Sequence, residues 1–214
     1  MAAVMGLLWG LVACFAVLDW YAVWRGFSRL EWVAKPLTMV ALAGAAWSMG
    51  ATDSASGQWL LAALVLGLVG DVALLSDSEP RFLAGLTAFL LGHVAYVAAL
   101  LPIGPQSLRA ALPGLATVLL LVAVVGRPVL VASRREGGAA LSGAVAAYML
   151  VIGAMVVTAW GTARPLVAVG ATVFMVSDAV LAHDRFVRHR RWAALTVMVT
   201  YHLGQVLIVL GVLR

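Results

Sequence analysis

Two aspartates lie within apolar runs of the sequence, each near the end of its run. Asp71 stands in LGLVGDVALLSD and Asp178 in FMVSDAVLAHD. No lysine or arginine lies within one helical turn of Asp71. Two carboxylates in apolar surroundings can perform general acid–base chemistry when one is protonated and the other ionised. The same pair can also relay protons in a transporter.

The sequence around these residues is typical of an integral membrane protein. Its 214 residues are 64% hydrophobic and 11% charged, with a mean hydropathy of +1.06. Soluble domains contain roughly 45–50% apolar and about 25% charged residues. A net charge of +5 would suggest nucleic acid for a soluble protein, but basic residues of a membrane protein mark cytoplasmic loops. We therefore expect a lipid bilayer, and no nucleic acid, as the partner.

Eight segments of the chain are apolar over the length that crosses a bilayer, about 20 residues. They predict an all-α, polytopic membrane bundle that forms one integral membrane domain over 1–214. The first segment has no basic region before it, so we interpret it as a retained span rather than a signal peptide. The predicted spans are roughly 4–22, 34–51, 58–76, 82–101, 110–131, 137–160, 165–183 and 192–213.

Basic residues fall mainly on one side of this arrangement. The loops after spans one, three, five and seven contain 11 of the 14 lysines and arginines. Under the positive-inside rule this side is cytoplasmic. We therefore expect a multi-pass protein of the plasma or inner membrane, with both termini on the non-cytoplasmic side.

Asp71 and Asp178 lie at matching depth in the predicted spans. Asp71 precedes Ser76 by five residues, and Asp178 precedes Asp184 by six. At about 1.5 Å per residue, Asp71 lies roughly 7–8 Å inside the cytoplasmic end of its span, and Asp178 is about equally deep. Charged groups are costly in the membrane, so a pair at one depth is a functional candidate. The alternative is a structural role, such as pairing with Lys35.

Other polar and small residues occur in the same spans. Most of them have a structural alternative, because Tyr, His and Gln side chains often form hydrogen bonds between membrane helices. The serine can instead bond back to its own helix. These residues are Lys35 with Pro36 at the start of span two, Gly70, Ser177, Tyr201 with Gln205 one turn later, and Gly85, Phe89, His93 and Tyr96 on one face of span four.

The sequence also suggests an internal duplication. Asp71 and Asp178 are 107 residues apart, which is half the chain length. GDVALL at 70–75 resembles SDAVLA at 177–182, and an Arg-Phe pair follows each. Because four spans is an even number, we expect two similar four-helix halves of the same orientation.

In their order along the chain, these motifs resemble those of the YhhN-like lysoplasmalogenase family. The motifs are Lys-Pro, Gly-Asp, the Phe–His–Tyr face, Ser-Asp and Tyr-x-x-x-Gln. The resemblance implies hydrolysis of the vinyl ether of a lysoplasmalogen, a lysophospholipid, to a fatty aldehyde and a glycerophospho-base, with no cofactor or metal. The residues that it implicates are Lys35, Asp71, His93, Tyr96, Ser177, Asp178, Tyr201 and Gln205. Because vinyl ethers hydrolyse under acid catalysis, we expect Asp71 and Asp178 to be catalytic. We expect the others, together with Gly70, to bind substrate.

Two other functions compete with this interpretation. A small proton-coupled transporter would also use paired carboxylates, but these lie near one face rather than at the midplane. A metal-dependent membrane lipid hydrolase would use Asp71, His93, Asp178 and His202, but the sequence has no His-x-x-x-His or His-Glu-x-x-His pair. A serine hydrolase is disfavoured because no Gly-x-Ser-x-Gly motif occurs.

Overall fold

The computed structural model describes residues 2–76 and 78–214, and every regular element in them is helical. This confirms the expected all-α class. A 3₁₀ turn at Ala51–Asp53 and a π-helical turn at Val122–Gly126 lie between the longer helices. These helices are α1 (Ala2–Arg25), α2 (Ser28–Ser48), α3 (Ala55–Ala73), α4 (Glu79–Leu100), α5 (Leu108–Leu121), α6 (Arg127–Gly161), α7 (Pro165–Phe186) and α8 (Ala193–Leu213).

Six helical segments in the described part of the chain are long and apolar enough to cross a membrane. The protein is thus a multi-pass membrane protein by the length and composition of its helices. The segments are Ala3–Arg25, Ala55–Ala73, Glu79–Leu100, Leu108–Gly161, Pro165–Phe186 and Ala193–Leu213.

The chain divides into two compact units. The first contains the described residues up to Pro102 together with Val212–Arg214, and the second contains Ile103–Gly211. The division falls close to the boundary between the two predicted halves. The similarity of those halves stays a prediction.

Helix α2 differs from the sequence-based expectation. It begins at Ser28, six residues before the predicted start, so Lys35 and Pro36 lie inside the helix rather than in its first turn. The charged residues near its beginning lower the hydropathy, but they do not oppose helix formation; Glu31 in the first turn favours it. Pro36 has no N–H group, so one backbone hydrogen bond is missing at this point of the helix.

Spans five and six were expected as separate segments, and they lie within the helical stretch Leu108–Gly161. Non-helical backbone interrupts α6 at Gly137 and at Gly138, where φ is +67°, a value that glycine adopts readily. The Ser142 hydroxyl donates a hydrogen bond to the Leu130 carbonyl at 3.3 Å although the two residues are 12 apart. A straight helix would separate them by about 18 Å. The chain therefore reverses direction at these two glycines.

Glycines also bring α7 and α8 into close contact in the second unit. A Cβ added at Gly204 would lie 2.9 Å from the Phe174 backbone nitrogen, and one added at Gly170 would lie 2.9 Å from the Ile208 nitrogen. Small residues of this kind let membrane helices approach each other closely. The same helix pair carries Ser177, Asp178, Tyr201 and Gln205, so its packing positions half of the predicted site.

We expect Gly204→Ala to lower the thermal unfolding midpoint in detergent, because the new methyl group meets backbone atoms that cannot move aside. Overpacking of this kind costs about 1–3 kcal/mol. Gly143→Ala is the matched control, since a Cβ there has nothing within 4 Å and alanine is the better helix former by about 1 kcal/mol. Equal midpoints for the two variants would contradict the close α7–α8 packing.

Candidate functional site

In the first unit, Asp71 forms an ion pair with Lys35. The Lys35 Nζ lies 3.7 Å from the Asp71 Oδ1, and the two residues are only 5% and 1% exposed. The helices α2 and α3 that carry them pack against each other. Burying an ion pair costs free energy unless its geometry compensates for the lost solvation. This is the pairing that the sequence left open as the structural alternative for Asp71, and it joins two residues of the predicted site.

The predicted face of α4 is buried in the same unit. Gly85, Phe89, His93 and Tyr96 are all buried on this helix. Gly70 is a close-contact position, because a Cβ there would lie 2.5 Å from the Phe89 ring. The structure therefore supports a packing role for Gly70, and its predicted contact with substrate stays a prediction.

The contacts between α3 and α4 fix the level of His93 relative to Asp71. Opposite Gly70 lies Phe89, and a Cβ added at Gly85 would lie 2.7 Å from Leu74. This antiparallel register places Asp71 level with Ala88. The His93 Cα is five residues further along α4, roughly 7.5 Å deeper in the helix pair.

In the second unit, Asp178 accepts a hydrogen bond from the hydroxyl of Tyr148. The Tyr148 Oη lies 2.5 Å from the Asp178 Oδ2, and it joins the second part of α6 to α7. Both residues are half-buried. Asp178 thus has a fixed polar partner within its own unit, as Asp71 has in the first.

Ser177 connects α7 to α8. Its hydroxyl donates a hydrogen bond to the Val197 carbonyl at 2.9 Å, and the residue is completely buried. The expected alternative of a bond back to its own helix is therefore wrong, because the acceptor lies on the neighbouring helix. The oxygen of this hydroxyl can still accept a hydrogen bond.

Tyr201 and Gln205 line the same helix pair further along α8. They are 3% and 0% exposed. The Tyr201 ring packs edge-on against Phe174 with 5.2 Å between the centroids, and His202 lies 5.4 Å from the Tyr201 ring. These contacts hold Tyr201 in one orientation, which suits either a packing or a substrate-contact role.

Comparison of the sequence with known proteins shows which family the chain belongs to. The YhhN family model matches residues 30–212. The chain belongs to the YhhN family. It is 36% identical to human lysoplasmalogenase TMEM86B over 202 residues, covering 91% of this chain and 82% of that protein. A Mycobacterium tuberculosis protein named lysoplasmalogenase is 32% identical over 157 residues, covering 72% of this chain and 60% of that protein. No solved structure matches the chain significantly.

The sequence analysis missed Tyr148 of this YhhN chain. Its signal was present, because Tyr148 is the one residue with a hydroxyl group in the apolar stretch AVAAYMLVIGAMVV. Residues with polar tips in membrane spans are often partners of buried charges. That criterion would have selected Tyr148, whereas Tyr96 and Tyr201 were selected because each shares a helix face with other polar residues.

The sequence analysis also missed Asp19 of the YhhN chain. Asp19 lies in α1 and is completely buried. It is within electrostatic range of Lys35, Glu31 and Asp71. The available signal was an aspartate inside the first apolar span, six residues before Arg25. The same depth argument that selected Asp71 applies to it.

The two arginines nearest the ends of α3 and α7 have partners within the YhhN chain. Arg81 donates to the Val72 carbonyl near the end of α3 at 3.2 Å. Arg185 forms an ion pair with Glu136 at 2.6 Å. In the described residues, no three His, Cys, Asp or Glu side chains gather in a way that could hold a metal ion.

Proposed function

We propose that this YhhN protein hydrolyses the vinyl ether bond of lysoplasmalogens to a fatty aldehyde and a glycerophospho-base. The observation that carries the proposal is the buried Lys35–Asp71 pair in a chain that is 36% identical to a human lysoplasmalogenase over 91% of its length. A buried ionisable pair in a membrane helix bundle is costly, and function is the usual reason for it.

The proposed mechanism is acid catalysis by two carboxyl groups. One transfers a proton to the β-carbon of the vinyl ether, which leaves an oxocarbenium ion at the carbon bonded to oxygen. The other, ionised, stabilises this cation and removes a proton from the attacking water. The resulting hemiacetal collapses to the aldehyde and the glycerol hydroxyl. Glycosidases use a carboxylate pair through a similar cation, and Asp71 and Asp178 are the proposed pair here.

The remaining predicted site residues are proposed to hold the substrate. On the proposed topology, Lys35 and the ends of the spans would meet the vinyl ether just below the lipid headgroups. A groove of about 740 Å³ in the second unit is lined by two guanidinium groups, the Glu136 carboxylate and apolar side chains. The excess of positive charge suits a phosphate, and the apolar part suits the first part of a lipid chain. The proposed contacts are Lys35, Gly70, His93, Tyr96, Ser177, Tyr201 and Gln205, and the groove residues include Arg127, Arg135, Val131 and Phe186.

We also propose eight membrane spans with both termini on the non-cytoplasmic side. The reversal at Gly137–Gly138 supports this number, since it divides a 54-residue segment into two parts of membrane length. Helix α2 has 21 residues, which is also enough to cross a bilayer. Cysteine labelling from each side of sealed vesicles tests the orientation.

Tyr148→Phe is expected to lower aldehyde release about tenfold while the protein remains folded. A hydrogen bond to a charged group contributes about 1.5–3 kcal/mol, and about 1.4 kcal/mol corresponds to tenfold in rate. Tyr21→Phe, at an exposed position of α1, is the matched control and is expected to change nothing. Equal rates for both variants would show that the Tyr148–Asp178 bond does not serve the reaction.

The decisive test measures aldehyde released by purified protein from an alkenyl-lysophospholipid, with the acyl-lysophospholipid of equal chain length as control. We expect aldehyde only from the first. In D₂O, rapid reduction of the product should trap one deuterium on the carbon next to the aldehyde carbon, because that carbon receives the catalytic proton.

Two other outcomes would replace the proposal. Loss of activity on chelation with recovery on adding zinc would favour the metal-dependent hydrolase. No cleavage of either lipid, together with proton or solute movement in proteoliposomes, would favour the transporter.

A further inference from the structure

Asp19 of α1 differs from Asp71 and Asp178 because it is completely buried and its carboxylate oxygens accept no hydrogen bond from the described residues. A buried carboxyl group without hydrogen bonds is costly. Its burial therefore needs a compensating interaction.

The register of α1 and α2 shows which residues lie beside Asp19. A Cβ added at Gly44 would lie 3.3 Å from the Leu8 side chain, so these two residues are opposite each other in the helix pair. Asp19 is eleven residues after Leu8, and Val33 is eleven before Gly44. Asp19 is thus level with Val33, two positions from Lys35.

Electrostatics points to the same neighbour. Asp19 interacts with Lys35, Glu31 and Asp71, and Lys35 is the one cation among the three. The Lys35 ammonium has three N–H donors, and its distance of 3.7 Å from the Asp71 Oδ1 leaves donors for another acceptor. Lys35 of α2 is therefore the cation within electrostatic range of both buried carboxylates, Asp19 of α1 and Asp71 of α3.

Depth agrees with this arrangement. Asp19 lies six residues before the end of α1 at Arg25, and Asp71 lies two residues before the end of α3 at Ala73. Both helices run in the same direction, because α2 runs back between them. The two carboxylates thus lie towards the same end of the first unit, within about two helical turns of their helix ends.

We propose that Asp19 is a positioning residue of the hydrolytic site, one that shares the Lys35 ammonium with Asp71. This inference rests on the proposed function. By holding Lys35 from α1, Asp19 fixes how far the ammonium can approach Asp71, and so sets the position of the Asp71 carboxylate. Asp19 itself need not touch the substrate.

A double-mutant cycle tests the proposal with four proteins: the wild type, Asp19→Asn, Lys35→Met and the double variant. The values of kcat/KM for aldehyde release and the thermal unfolding midpoint are both measured in detergent. We expect Asp19→Asn to lower kcat/KM about tenfold in the wild type and less than twofold in the Lys35→Met background. Equal effects in both backgrounds would overturn the proposal, because Asp19 would then act independently of Lys35.

Two further variants separate positioning from general loss of structure. Asp19→Glu keeps the charge and is expected to retain kcat/KM within about threefold of wild type; if Asp19→Asn does not fold, the smaller neutral variant Asp19→Ser supplies the comparison in both backgrounds. Thr38→Val, a buried uncharged change one turn from Lys35, should leave kcat/KM unchanged. A lower midpoint with unchanged kcat/KM in Asp19→Asn would mean that Asp19 only stabilises the fold.

The two readouts also distinguish this inference from the proposed function. An inactive wild type would overturn the proposed function and the positioning role with it. The thermal cycle would still report whether Asp19 and Lys35 interact, since coupled midpoints require contact or close electrostatic interaction.

Discussion

Asp71→Asn is expected to lower aldehyde release at least 100-fold, the usual size of a lost acid–base group. The amide has nearly the same shape, but it can neither carry the negative charge nor transfer a proton. The change also removes the partner of the buried Lys35 ammonium. Removing one member of a buried pair destabilises proteins by about 3–5 kcal/mol, and Asp19 within electrostatic range should reduce that loss.

A second variant separates the chemical from the structural effect of this substitution. Asp71→Asn/Lys35→Met has no uncompensated ammonium, so it should recover part of the thermal stability and remain inactive; the recovery is partial because Asp19 loses the cation within its electrostatic range. Asp53→Asn is the matched control in the same unit, because Asp53 is exposed in the 3₁₀ turn. Activity that recovers together with stability in the double variant would show that Asp71 serves the fold alone.

The sequence predicted the residues of the candidate site better than their partners. Asp71, Asp178 and Lys35 were found because charge in an apolar span is costly and therefore rare. That criterion gives positions along a helix, but it does not tell which helices are neighbours. Both contacts depend on helix packing: the Lys35–Asp71 pair was named from the sequence only as a structural alternative, and the Tyr148–Asp178 contact was not predicted.

The helices show a similar division between what hydropathy detects and what it misses. Hydropathy located the apolar part of each long helix, because apolar side chains are the ones that leave water. It placed the start of α2 six residues too late, since the charged first turns of that helix need no apolar character. The buried position of Asp19 was not predicted for a different reason, because the first span was interpreted only for topology and retention.

The Ser177 result shows why a serine next to a candidate aspartate is ambiguous. In sequence, a hydroxyl there can bond to its own helix, to a neighbouring helix or to a substrate. The close α7–α8 approach at Gly170 and Gly204 brings the Val197 carbonyl within 2.9 Å of the Ser177 hydroxyl. A contact between helices, rather than the local sequence, determined the partner.

Asp178→Asn is expected to reduce aldehyde release at least 100-fold with little change in the thermal unfolding midpoint. The reason for this difference from Asp71→Asn is the type of partner. Tyr148 donates a hydrogen bond to Asp178, and the amide oxygen of asparagine can still accept it. Because this hydrogen bond survives the substitution, the lost activity should appear with a smaller loss of stability than in Asp71→Asn.

Asp184→Asn is the matched control on the same helix. Asp184 is six residues further along and accepts a hydrogen bond from the Arg190 backbone N–H at 2.6 Å, which an asparagine can also accept. Near-normal turnover in Asp178→Asn would remove the paired-carboxylate mechanism.

The double variant Asp71→Asn/Asp178→Asn tests whether the two carboxylates act together. Groups that act as one unit in catalysis are strongly non-additive, so the residual rate of the double variant should be close to that of the slower single variant. A rate near the product of the two single effects, about 10⁴-fold below wild type, would instead mean that the two carboxylates act in separate steps.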